Sequence, residues 1–123
     1  MALTGKAAES GAAAFIDNAT PTTLVTNAQG ANLILKIDKL VILNTDTTTA
    51  VTLELYEVPS GGAISGDDYK LIKAFSVKGS GGLFGTEDIR EVAGLILENG
   101  DSLRALAGTV SKLKFHISYW AES

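Results

Sequence analysis

The chain has 123 residues, enough for one domain with a continuous core, and its aliphatic-rich, charge-poor composition excludes disorder over most of its length. Its formal charge is −4 and its ten Lys and Arg stand singly, which argues against nucleic-acid binding through clustered cations. Without cysteine, disulfides, thiolate metal sites and cysteine nucleophiles are excluded, and no apolar run approaches the roughly 20 residues that a membrane-spanning helix needs.

Residues 1–20 are rich in Ala, Gly, Ser and Thr and show no sustained alternation. Glu9, Ser10 and Gly11 interrupt the stretch where a signal peptide needs apolar residues, so it is read as part of the mature chain. The segment has few groups able to build its own core, and unpaired main-chain groups need partners. It is expected to form an extended arm lying along an adjacent subunit or another protein of the same assembly, with Leu3, Phe15 and Ile16 as apolar anchors. The competing arrangement docks the arm on its own domain.

From Thr22 the period becomes two, and residues 21–123 read as one β domain. In ANLILKIDKLVILN, Leu33, Leu35 and Ile37 share one parity while Leu40 and Ile42 take the other. A β-bulge near Asp38–Lys39 produces that shift. VTLELYEV alternates cleanly, with Val51, Leu53 and Leu55 inward and Thr52, Glu54 and Tyr56 outward. YKLIKAFSV reads as a further strand with Leu71, Phe75 and Val77 inward.

GSGGLFG, residues 79–85, only partly matches a phosphate-binding loop, because its third glycine falls one position late and no Walker lysine precedes a Ser or Thr. It reads as a flexible loop. TEDIREVAG, residues 86–94, fits a helix of at most two turns, capped by Thr86, or a strand. The carboxylates of SGDDY and TED lack the spacing of a calcium loop and read as solvated.

LILENGDSLRAL places Asn-Gly between two apolar stretches, the strongest short-range hairpin signal. Asn99 and Gly100 are therefore expected at the two positive-φ positions of a type I′ turn, and Glu98 and Asp101 as flanking residues rather than an acid–base pair. SLRALA and KLKFHISYW complete the pattern, the latter with Leu113, Phe115, Ile117 and Tyr119 inward. His116, the single histidine, falls on the other face with no second ligand nearby in sequence. Tyr119 and Trp120 read as packing or interface aromatics.

These elements predict an all-β fold, an antiparallel sandwich of jelly-roll type carrying an N-terminal arm. Its expected core is Leu33, Leu35, Val51, Leu53, Leu55, Leu103, Leu113, Phe115 and Ile117. No catalytic group, cofactor or metal ligand is expected.

TTLVT, LVILNTDTTTAVTLELYEV, LILENGDSLRALAG and the alternating terminal strand, taken in that order, resemble small β-sandwich virion proteins of tailed bacteriophages. The similarity covers about residues 22–57 and 92–121, and residues 59–85 are longer than the pattern requires. It implies a non-enzymatic role in the virion, either capsid decoration (cement) or a tail, collar or fibre component. The implied partners are the chain itself, as a homo-oligomer with a trimer as the working number, and a phage capsid or tail protein. Neither nucleic acid nor membrane is among them. Leu3, Phe15, Ile16, Tyr119 and Trp120 are the candidate contact residues, with a carbohydrate- or receptor-binding module as the alternative.

Overall fold

The structure, a computed structural model, describes residues 3–10, 15–27, 34–66, 68–79 and 86–122, and the side chains of all these except 3–10, 86, 87 and 122. Nine strands occur among them: β1 (Leu3–Ser10), β2 (Thr22–Thr26), β3 (Ile34–Asn44), β4 (Val51–Val58), β5 (Lys70–Val77), β6 (Thr86–Asp88), β7 (Ile96–Leu97), β8 (Ser102–Ala107) and β9 (Leu113–Glu122). They form two antiparallel sheets. The first runs β1-β9-β3, with β6 and β7 both paired to β3, and the second runs β2-β8-β4-β5. No α-helix is present among the described residues; the segment read as helix or strand is β6 followed by a single 3-10 turn, Arg90–Val92.

Period-two alternation gives each sheet one apolar face, and the two faces contribute to a single cluster. Leu35, Ile37, Leu40, Ile42, Leu113 and Ile117 enter it from the first sheet, and Val51, Leu53, Leu55, Leu103 and Ala105 from the second. Phe115 is only half-buried against this cluster, and the expected core residue Leu33 lies outside the described residues.

The expected bulge is present. The β3–β9 register shifts between Ile37 and Lys39, and the inward positions change from Leu35 and Ile37 to Leu40 and Ile42. The edge opposite is interrupted at the same place. Between β6 and β7 the chain swings out through the 3-10 turn, while Ile89 N–H donates to Leu40 and Gly94 N–H to Ile37 at 2.8 Å each. Ile89 and Val92 thereby become buried.

Three expectations are corrected or refined. Leu71 is 46% exposed rather than inward, and Ile72 packs on the core instead. The cause is irregular β4–β5 pairing, with register shifts between Leu53 and Leu55 and between Leu55 and Tyr56. Tyr56 takes the outward position expected of it, but that position is buried beneath the Lys70 side chain, whose Nζ sits 5.5 Å from the ring centroid. Finally, residues 3–10 of the segment read as an arm are an edge strand on the chain's own β9, from Leu3 opposite Glu122 to Ser10 opposite His116. Main-chain hydrogen bonding asks nothing of side chains, so an Ala-rich segment can join a sheet without apolar alternation.

The turns also serve a different purpose from the one their residues suggest. β4 and β5 are the only consecutive strands found paired with each other among the described residues. NTDTTT carries the chain from β3 in one sheet to β4 in the other, and ENGD carries it from β7 to β8. ENGD is a corner, as expected, but not a type I′ hairpin. Gly100 has φ 88° while Asn99 is not among the positive-φ residues, and Asp101 N–H donates to the Glu98 carbonyl at 3.0 Å. One positive φ at the third position of a four-residue turn is the type II pattern, for which glycine is the favoured residue.

Two buried asparagines hold these corners. Asn44 donates from Nδ2 to the carbonyls of Thr49 and Val77, both at 2.9 Å, tying the end of β3 to β5 of the other sheet. Asn27, just past β2, donates from Nδ2 to the Leu97 carbonyl at 2.9 Å, and its own carbonyl accepts from Gly100 N–H at 2.7 Å.

Candidate interaction surface

The outward faces of the two sheets differ in how far they satisfy themselves. On the second sheet, Lys70 pairs with Glu54 at 2.6 Å and Arg104 Nε donates to Ser102 Oγ at 3.0 Å. Tyr56, Val58 and Ser102 are buried there although they alternate with core positions. Those contacts cover its centre, while Thr23, Thr52 and Ser76 remain exposed and Leu71 of β5 is 46% exposed.

The first sheet is open. The outward positions of β9 are Lys114, His116, Ser118 and Trp120, and register sets Leu43, Val41, Lys39 and Lys36 opposite them on β3. Ile96 of β7 stands opposite Lys36 and is 47% exposed, while Leu43 is 37% exposed. Trp120 thus lies in a cross-strand row with Lys36 and Ile96, and Lys6 of β1 registers on its other side. Lys36, Lys39 and Lys114 make no ion pair with any described residue. Asp38, at the bulge, accepts from Ser118 Oγ at 3.0 Å. Exposed Asp88 stands opposite Val41.

This face gathers some of the expected contact residues and rejects others. Trp120 lies on it, half-buried. Phe15, 37% exposed, meets it through Lys114, whose Nζ is 5.1 Å from the ring centroid. Leu3 registers opposite Glu122 at the edge, with its side chain outside the described residues. Tyr119 packs inward against the core. Ile16 is fully buried, which corrects its reading as an external anchor. Its N–H donates to the Leu113 carbonyl at 2.8 Å and the carbonyl of the neighbouring, exposed Asp17 accepts from Ala107 N–H at 2.9 Å, so residues 16–17 join the two sheets.

Sequence reading missed the lysines. Lys36, Lys39 and Lys114 stand singly along the chain, and antiparallel pairing brings them onto one face. Their only visible signal was outward parity on strands of one sheet, and sheet partnership is not encoded locally.

Among the described residues no group of three or more His, Asp and Glu side chains could hold a metal ion. His116 is exposed on β9 opposite Val41. GSGGLFG lies outside the described residues apart from Gly79, which packs against the NTDTTT corner so closely that an added Cβ would meet the Asp46 carbonyl at 3.0 Å. The ENGD carboxylate Asp101 accepts from Glu98 N–H at 3.0 Å and Ser60 N–H at 3.2 Å, which makes it a brace for the corner.

Compared with protein-family models, curated proteins and solved structures, the chain matches none.

Proposed function

We propose that the chain is a non-enzymatic structural component of a bacteriophage virion, a capsid decoration (cement) protein that stabilises the particle through self-association and contact with the major capsid protein. The observation that carries this reading is the strand order. With β6 and β7 counted as one interrupted strand, eight strands divide into β1-β9-β3-β6/β7 and β2-β8-β4-β5. Successive strands change sheet at every step except β4 to β5, which supports the reading as a jelly-roll sandwich, an architecture used by viral capsid proteins and lectins. Fold alone does not assign function. Further support comes from the open face around Trp120, Lys36 and Ile96, where apolar surface stands beside cations that have no ion-pair partner among the described residues, a combination that suits a protein partner.

The same features support a tail, collar or fibre location as the alternative. A carbohydrate- or receptor-binding role is favoured by a different one: the half-buried Trp120 ring stands at an outward position of β9, where it offers a stacking surface for a glycan. Co-sedimentation with empty heads from the phage encoding the chain tests the main reading. The variant Lys36→Glu/Lys114→Glu/Trp120→Ala is expected to lose roughly tenfold or more in affinity, since interface energy concentrates in a few anchors. Undiminished binding by that variant would remove this face from the contact, and glycan-array binding abolished by Trp120→Ala would favour the second reading.

A further inference from the structure

Sheet edges carry unpaired main-chain donors and acceptors, and proteins usually blunt them. Three of the four edges here are blunted. β2 is five residues long with a register shift between Thr23 and Val25. β5 is irregularly paired and carries Lys70, Lys73 and a following Lys78. β6 and β7, of three and two residues, are separated by the 3-10 turn. β1 differs. After a register shift between Leu3 and Gly5 it pairs with β9 in unbroken register to Ser10, the longest unbroken run of the four edges, no described strand pairs with its other side, and Lys6 and Glu9 are its only charged residues in that run.

We propose that β1 is a docking edge for the β1 of a second copy, so that two subunits join antiparallel about a two-fold axis and the first sheet continues across both. This rests on the reading of the chain as a self-associating structural protein. The symmetry restricts the register. A two-fold axis perpendicular to the sheet keeps both outward faces on one side, so it must pass through a single residue position of β1. An axis at Lys6 or at Glu9 would set like charges directly opposite each other, which is destabilising. An axis at Ala7 sets Lys6 opposite Ala8 and Glu9 opposite Gly5 of the second copy, and an axis at Ala8 sets Lys6 opposite Ser10 and Glu9 opposite Ala7. An axis at Gly5 or Ser10 would overlap the unbroken run at only one residue, so charge pattern and overlap together select the two central alanines of GKAAES. Strand addition of this kind draws its affinity from main-chain hydrogen bonds, which suits a strand of small residues.

The absence of cysteine makes the test clean. Single variants Ala7→Cys and Ala8→Cys, oxidised in the full chain, are expected to give disulfide-linked dimer from whichever position lies on the axis. The yield should exceed that of Ser76→Cys on β5 by roughly tenfold, because a preformed pair holds its thiols at high effective concentration. Hydrogen exchange on the unmodified protein provides a second measurement that does not depend on the variants folding. Dilution should deprotect alternate amides of residues 5–10 and leave β9 protected. Equal cross-linking at all three positions, or exchange independent of concentration, overturns the proposal. Loss of β9 protection on dilution also overturns it, since that would mean β1 is exchanged between copies. Cross-linked dimer from a protein absent from particles would refute the virion role alone, whereas incorporation into particles without these cross-links would refute the edge alone.

Discussion

Asp46 shows how much one side chain can organise. Its Oδ1 accepts from Thr48 N–H and Thr49 N–H, both at 3.0 Å, and its Oδ2 lies 3.5 Å from Lys112 Nζ. These backbone donors, helped by Lys112, hold its carboxyl below the ordinary aspartate value of 3.8. A depressed folded-state pKa contributes stability that is present above the unfolded value and lost as pH falls through the folded one. Asp46→Asn should therefore lower the melting temperature at pH 7 and have progressively less effect below about pH 4, checked by thermal melts across pH. Glu57 works the other way. Partial burial, and then the charge of Asp101, push its carboxyl above the ordinary 4.5. Its ionisation is unfavourable in the folded state, so the cost sets in as pH rises from the unfolded value through the raised one. Glu57→Gln should raise the melting temperature at pH 7 and change little near pH 3.

At the scale of elements, β3 is the strand on which the first sheet depends, since β9, β6 and β7 all pair with it. Leu40 resumes the inward parity after the bulge and is fully buried. Leu40→Ala should cost about 2–5 kcal/mol by denaturant unfolding, the range for a buried leucine that leaves a cavity. A cost under about 1 kcal/mol would mean that the strand slides across the bulge to refill the space. The bulge itself was legible because an extra residue in one strand is what changes the phase of a two-residue period. The inward set of β5 was not legible, because an irregular edge strand lets Leu71 turn outward while Ile72 packs. The turns were legible as turns but not as connections. Asn-Gly chemistry is local, whereas whether ENGD joins paired strands or two different sheets depends on which neighbours β7 and β8 find. Asn27 and Asn44 escaped notice for the same reason. Each is an ordinary polar residue at a strand end until the opposing sheet supplies the carbonyls of Leu97 and Val77.

For the whole molecule, the two corners and the Ile16–Asp17 link fasten one sheet to the other, and the outward face of the first sheet presents exposed Leu43 and Ile96 beside Lys36, Lys39 and Lys114. The contact residues named from sequence divided accordingly. Phe15 and Trp120 reach that face, while Ile16 and Tyr119 serve the interior. A strand that alternates places one aromatic in the core and the next outside, so adjacent Tyr119 and Trp120 could not share a role. If association runs through Lys36, Lys39 and Lys114, raising the salt concentration from about 0.1 M to 1 M should weaken it, because the Debye length falls from about 10 Å to 3 Å. Salt-independent association would assign the contact to apolar surface or to the β1 edge. Whether this protein is a stoichiometric part of a virus particle is decided by quantitative mass spectrometry of gradient-purified particles from cultures that express the chain. The protein is expected there at a fixed, multi-copy ratio to the major capsid or tail protein, and the triple variant at a reduced ratio in the same particles. Recovery of the chain only in the soluble fraction, with purified particles lacking it, would refute the virion role.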